Sequence, residues 1–182
     1  MRGQPRDDRG PASAHVIRIV VPHAGSRGKT RLGAAREELS AAMLEDVLAA
    51  ATAVGAAWVV SPEPVDGATW IPDPGGGQGA AVEAALRAIG PGPVLVVNSD
   101  LPGLTADDLI ALADAIPDRG IALAPARDGT TNALGLSDTA LFAPLYGAGS
   151  AERFRAHVED AVDVDRPGLR HDVDTPFDLV TV

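Results

Sequence analysis

Val94-Leu95-Val96-Val97-Asn98-Ser99-Asp100-Leu101-Pro102-Gly103-Leu104 is the stretch that decides the fold. Four consecutive apolar residues, three of them β-branched, predict a buried strand. The run breaks into Asn98, Ser99 and Asp100, and Pro102 with Gly103 fixes the turn that follows. In an open α/β sheet, ligands bind just beyond the carboxyl ends of the strands. Asp100 falls at that point, where a carboxylate suits a hard cation such as Mg²⁺. Capping the next helix is the competing role for Asp100. Thr105, followed three residues later by Asp108, already supplies that cap.

On either side of this stretch, strands and helices alternate. Val16–Val21 predicts a first strand, ended by Pro22 and a loop from His23 to Gly33. Leu39, Met43, Val47 and Leu48 share one face of a helix. Ala56–Val60 predicts a second strand and Thr69–Ile71 a short third. Ala80–Ile89 predicts a helix, broken by Gly90-Pro91-Gly92-Pro93 before the central strand. Thr105–Ile116 predicts a helix, Ile121–Ala124 a strand, and Pro125–Asn132 a polar loop. A further strand over Ala133–Leu136 and a helix over Ala151–Val158 follow. This alternation predicts a mostly parallel central sheet with helices on both faces. The expected organisation is a tail over 1–14 and one domain over 15–182.

Composition narrows the class. The chain has 182 residues and a net charge of -10, which argues against a non-specific nucleic-acid binder. An anionic substrate remains compatible, because a local site and its metal can outweigh the global field. With no Cys, there is no disulfide framework, thiolate zinc site or cysteine nucleophile. No apolar run approaches the roughly 18 residues that span a membrane. The polar start lacks a signal-peptide core, so a cytoplasmic location is expected.

Several loops carry candidate chemistry. Gly25, Gly28, Lys29, Thr30 and Arg31 follow the first strand, with glycines that let backbone N–H groups approach phosphate and cations that suit a triphosphate. The string Gly28-Lys29-Thr30 resembles a Walker A ending. That motif needs a Gly five residues earlier, where His23 stands. Gly75, Gly76, Gly77 and Gln78 open a helix, and Gln78 is placed to bond a nucleobase edge. Thr130, Thr131 and Asn132 are small donors suited to an oxyanion. Gly147-Ala148-Gly149-Ser150 leads into a helix with Ser150 as its expected cap. Asp172 and Asp174 alternate along an extended segment and can join Asp100 at one cation. His15, His23, His157 and His171 show no metal-binding spacing and read as surface or structural.

Taken in order, Gly28–Leu32, Gly75–Gly77, Ser99–Pro102, Gly129–Asn132, Gly147–Ser150 and Asp172–Pro176 resemble the 2-phospho-L-lactate/phosphoenolpyruvate guanylyltransferase family of coenzyme F-420 biosynthesis. The resemblance covers residues 16 to 180. It implies an α/β, single-domain nucleotidyltransferase fold (GT-A-like, Rossmann-type). It implies that GTP and a small phosphorylated carboxylic acid combine with release of pyrophosphate. Asp100, Lys29 and Arg31 would then be catalytic, and Asp100, Asp172 and Asp174 would hold Mg²⁺. Thr131, Gly147 and Ser150 would bind the phosphoacid. Gly25, Lys29, Gly75, Gly76, Gly77, Gln78 and Ser99 would bind the nucleotide. No nucleic-acid or membrane partner is expected, and a homodimer stays open. The chain departs from the family pattern at His23-Ala24-Gly25, where a Lys is usual, and at Gln78-Gly79, where Leu-Asn is usual. A molybdopterin or sugar-phosphate nucleotidyltransferase and an inactive nucleotide-binding homologue stand as alternatives.

Overall fold

The computed structural model describes residues 16–25 and 36–172. The chain begins with β1 (Ile17–Pro22), α1 (Arg36–Val54), β2 (Gly55–Ser61), β3 (Thr69–Pro72) and α2 (Gln78–Ile89). It continues through β4 (Val94–Val97), α3 (Ala106–Asp114), β5 (Ile121–Pro125), β6 (Thr131–Leu136), a 3-10 turn at Thr139–Leu141, α4 (Ser150–His157), β7 (Ala161–Asp163) and α5 (Pro167–Arg170).

Seven strands form one sheet in the order β3-β2-β1-β4-β6-β5-β7. All neighbouring pairs are parallel except those made by β6, which runs antiparallel to both β4 and β5. The expected mostly parallel sheet is therefore observed, with one reversed strand near its middle. That reversal matters for the site. It brings the beginning of β6 to the edge where the other strands end.

Burial explains why these residues make strands covered on both faces. In β4, Leu95 and Val97 enter one core layer, and Val94 and Val96 enter the other. In β5, Ala122 and Ala124 oppose Ile121 and Leu123 in the same way. The first layer receives Leu44, Val47 and Leu48 from α1, Leu109 and Leu112 from α3, and Leu169 from α5. The second receives Val82, Ala85 and Leu86 from α2 and Phe154 from α4. On α1, Met43, Leu44, Val47, Leu48 and Ala51 are buried at helical spacing, as the sequence predicts. Glu37 and Glu38 add favourable charge to its first turn.

Several boundaries differ from expectation. Thr131 and Asn132 belong to β6 rather than to the preceding loop, because they continue the ladder that carries Ala133. β7 is three residues long and partly polar, so its period gives little signal. It gains its place by pairing with β5 at the sheet edge. α5 is a single turn opened by Pro167, too short for an apolar period. The expected cap of α3 is present as a full capping box, with Asp108 bonding back to the Thr105 N–H and hydroxyl. Arg166 adds an ion pair to Asp108 at 2.9 Å. No described helix is long and apolar enough to cross a membrane.

Candidate active site

The strand order changes direction between β1 and β4, since β1 leads to β2 on one side and lies against β4 on the other. The loops leaving two such strands diverge and leave a crevice at their carboxyl ends. A cleft of about 240 Å³ occupies this place. Pro22, His23 and Gly25 line it from β1, and Asn98, Ser99 and Asp100 line it from β4. Asp73, Gly77 and Gln78 close it from the start of α2.

The glycine loop reaches the cleft through an unusual backbone. Gly75, Gly76 and Gly77 all have φ between 76° and 88°, a region that side chains disfavour. Asp73 accepts the Gly75 N–H and steadies the turn. Gly77 then sits at the N-cap of α2 without a side-chain cap, so Gln78 occupies the first helical position. The Gln78 amide donates to Asn98 Oδ1 at 2.6 Å. Across the cleft, His23 Nδ1 and Ser99 Oγ lie 3.0 Å apart.

A second polar cluster lies where β6 begins. Asn98 N–H donates to the Asn132 carbonyl at 2.9 Å, and Asn98 Nδ2 donates to the Thr131 carbonyl at 3.2 Å. Thr131 Oγ1 and Ser150 Oγ are 2.9 Å apart and both buried. One bond between two hydroxyls uses one proton and leaves one O–H to donate elsewhere. Ser150 is not the expected helix cap. Gly149, with φ of 70°, takes the N-cap position, and Ser150 follows as the first helical residue. The Ser150 and Ala151 N–H groups are spent on the Gly147 and Gly129 carbonyls. The Arg153 guanidinium fixes the turn by donating to the carbonyls of Leu145, Tyr146 and Ala148. Gly147, with φ of 105°, sits inside this turn.

α5 carries the chain back to the same edge. Asn132 Nδ2 donates to the Leu169 carbonyl at 3.0 Å, and Leu169 is fully buried. A methyl on Gly168 would run into Asp108 Oδ2 and the Gly103 carbonyl. The α5 turn is thus wedged under the segment that follows Asp100, and Asp172 comes two residues after it.

The fold gathers Gly25, Gly77, Gln78, Ser99 and Asp100 on one cleft. Gly75 and Gly76 form the approach to it. Thr131 and Ser150 meet in a separate cluster with Gly147 nearby, joined to the cleft by Asn98. Asp172 is not among the residues lining the cleft. Lys29, Arg31, Asp174 and the 1–14 tail lie outside the described residues. Among the described residues, no three His, Asp or Glu side chains stand close enough to cage a metal. Asp100 still suits a hard cation shared with a bound phosphate, because Mg²⁺ usually takes one or two carboxylates and fills its other positions with phosphate and water. His23, which the sequence reading takes as surface or structural, lines the cleft, and so do Asn98, Asp73 and Ser40, to which it gives no role there. For His23 and Asn98 the signal is positional: each directly follows a strand at the switch point.

Residues 25–164 match the MobA-like NTP transferase domain. A phosphoenolpyruvate guanylyltransferase of Sphaerobacter thermophilus is 37% identical, covering 90% of this chain and 90% of its own. One from a Mycobacterium strain is 34% identical over 99% of this chain and 91% of its own. Among solved structures, the 2-C-methyl-D-erythritol 4-phosphate cytidylyltransferase of Thermus thermophilus superposes with a TM-score of 0.67 at 21% identity, covering 91% of this chain and 96% of that one. The 4-diphosphocytidyl-2C-methyl-D-erythritol synthase of Anaerococcus prevotii gives 0.62 at 12% identity, covering 92% and 96%. Those two likenesses establish the nucleotidyltransferase fold, and the closer relatives establish the family. The chain belongs to the phosphoenolpyruvate guanylyltransferase family, built on a MobA-like NTP transferase domain.

Proposed function

We propose that this protein transfers the guanylyl group of GTP to the phosphate of a three-carbon phosphoacid, phosphoenolpyruvate or 2-phospho-L-lactate, in the assembly of coenzyme F-420. One observation carries the reading beyond family membership. The cleft that ends on Asp100 is tied by Asn98 to the Thr131 backbone carbonyl, and Thr131 pairs with Ser150, which supports a nucleotide and an acid bound side by side.

The reaction joins two phosphates. An oxygen of the acid's phosphate attacks the α-phosphorus of GTP. A new P–O–P bond forms, the bond to the β-phosphate oxygen breaks, and pyrophosphate leaves. The attacking oxygen is already ionised, so the protein needs neither a nucleophile nor a strong base. What it supplies is alignment and charge neutralisation. Gln78 and the Gly75–Gly77 turn receive the nucleoside, and Gly25 and Ser99 border its phosphates. Thr131 and Ser150 are assigned to the acid; their hydroxyls are buried against each other, so the acid reaches the spare O–H when this edge opens to admit it. Lys29 and Arg31 neutralise the departing pyrophosphate. Asp100, with Asp172 or Asp174, would hold Mg²⁺, whose charge lowers the repulsion between the two phosphates.

The test is pyrophosphate release with GTP, ATP, CTP and UTP against phosphoenolpyruvate, 2-phospho-L-lactate and 3-phosphoglycerate. Release is expected with GTP and one of the first two acids. Faster release with another nucleotide, or none with any acid, refutes the assignment.

A further inference from the structure

Two side-chain amides at the cleft have their direction fixed from one end. Asn98 Nδ2 lies 3.2 Å from the Thr131 carbonyl. A backbone carbonyl only accepts, so Asn98 must turn its NH₂ towards Thr131 and its Oδ1 away. That Oδ1 lies 2.6 Å from Gln78 Nε2. An amide oxygen cannot donate, so Gln78 must in turn present its NH₂ to Asn98. Gln78 is left with Oε1 as its acceptor. Flipping its amide would bring two oxygens together at hydrogen-bond distance.

The backbone limits the alternatives. Gln78 is the first residue of α2, directly after the positive-φ glycines. No side chain fits at the next position, since a Cβ on Gly79 would stand 2.6 Å from Pro144 Cβ. Gln78 is therefore the polar side chain that the α2 start offers to the cleft.

We propose that Asn98 is a positioning residue for base selection: it holds the Gln78 amide in one orientation, so the cleft presents a fixed acceptor to the nucleobase. The inference rests on the guanylyl-transfer reading above. The Watson–Crick edge of guanine carries N1–H and N2–H₂ donors. Adenine has an acceptor at N1 and no polar group at C2. A fixed oxygen set opposite N1 and C2 accepts from guanine and opposes the adenine N1 lone pair, with the adenine N6 donor out of its reach. An amide free to rotate serves both bases, because it offers either its oxygen or its NH₂.

The experiment is competition binding of GTP and ATP to the full chain as wild type, Asn98→Ala, Gln78→Leu and the double variant. Wild type is expected to prefer GTP. Asn98→Ala should narrow the GTP-over-ATP ratio about tenfold, chiefly through tighter ATP binding. Gln78→Leu should weaken GTP binding, and adding Asn98→Ala to it should change the ratio no further. An unchanged ratio in Asn98→Ala, or additive effects in the double variant, overturns the inference while leaving the guanylyl reading intact. A wild type without guanine preference instead removes that reading and the inference with it. Side-chain amide exchange by NMR on the wild type needs no variant. Slow exchange of the Asn98 and Gln78 NH₂ protons is expected, and fast exchange of both would overturn the proposed clasp.

Discussion

Ser150→Ala separates the proposed acid site from the proposed nucleotide site. Ser150 is fully buried, Thr131 is 2% exposed, and their hydroxyls are 2.9 Å apart. The substitution deletes one hydroxyl and leaves Thr131 Oγ1 buried without that partner. The desolvation penalty for such a group is about 2 kcal/mol. For a chain of this size that lowers Tm by about 4–8 °C. Binding changes separately. If the pair's spare O–H reaches an anionic oxygen of the acid, its loss weakens acid binding by about 1.5–3 kcal/mol. That corresponds to roughly a ten- to hundredfold rise in the acid KM. The GTP KM should stay near wild type, because Ser150 does not line the cleft proposed for the nucleotide. Thr131→Ser keeps both hydroxyls and should retain acid affinity. Steady-state pyrophosphate release with each substrate varied in turn, alongside thermal melting, measures all of this. Equal changes in both KM values, or an unchanged acid KM in a destabilised protein, would refute the acid-site assignment.

Asp100→Asn nearly preserves shape and removes one negative charge, so turnover should fall by about 10²-fold or more while the melting curve holds; near-normal turnover would contradict the role given to Asp100. Gly168→Ala drives a methyl into Asp108 and the Gly103 carbonyl, and denaturant unfolding should show a loss of about 2 kcal/mol. Unchanged stability would mean that α5 is not wedged under the Asp100 segment. The chain's single tyrosine, Tyr146, packs on Phe142 and Phe154, and burial pushes its phenol above the ordinary value. Folding therefore favours the neutral phenol: its contribution is full below the ordinary phenol pKa of about 10 and is lost as pH rises through the folded value. Spectrophotometric titration should show phenolate only beyond the range of free tyrosine, and ionisation at the free value would contradict the packing.

The parts of this site that local chemistry dictates were legible in the sequence. Val94–Val97 announced a buried strand by its unbroken apolar run, and Asp100 followed from where such strands end. The Thr105–Asp108 box was readable because both partners lie within one helical turn. Gly75–Gly77 signalled a backbone that needs positive φ. Long-range pairing left less trace. Nothing in Thr131–Leu136 states that β6 enters the sheet reversed between β4 and β5, since its alternation is the same in either direction. That reversal is what carries Thr131 beside Asn98 and Ser150. The role of Asn98 was hidden for a related reason. Its two partners, Gln78 and Thr131, lie 20 and 33 residues away. Ser150 looked like a cap because Ser commonly is one, but the glycine before it took the left-handed position and freed the hydroxyl for Thr131.

The central claim is that a guanylyl group is joined to the phosphate of a three-carbon acid. Phosphorus NMR of GTP and phosphoenolpyruvate with the protein and Mg²⁺ tests it most directly. A new pair of mutually coupled phosphorus signals from the P–O–P link should grow together with inorganic pyrophosphate, and both should grow at least about a hundredfold more slowly with Asp100→Asn. Formation of GDP and phosphate, or of free GMP and pyrophosphate without the coupled pair, would contradict it.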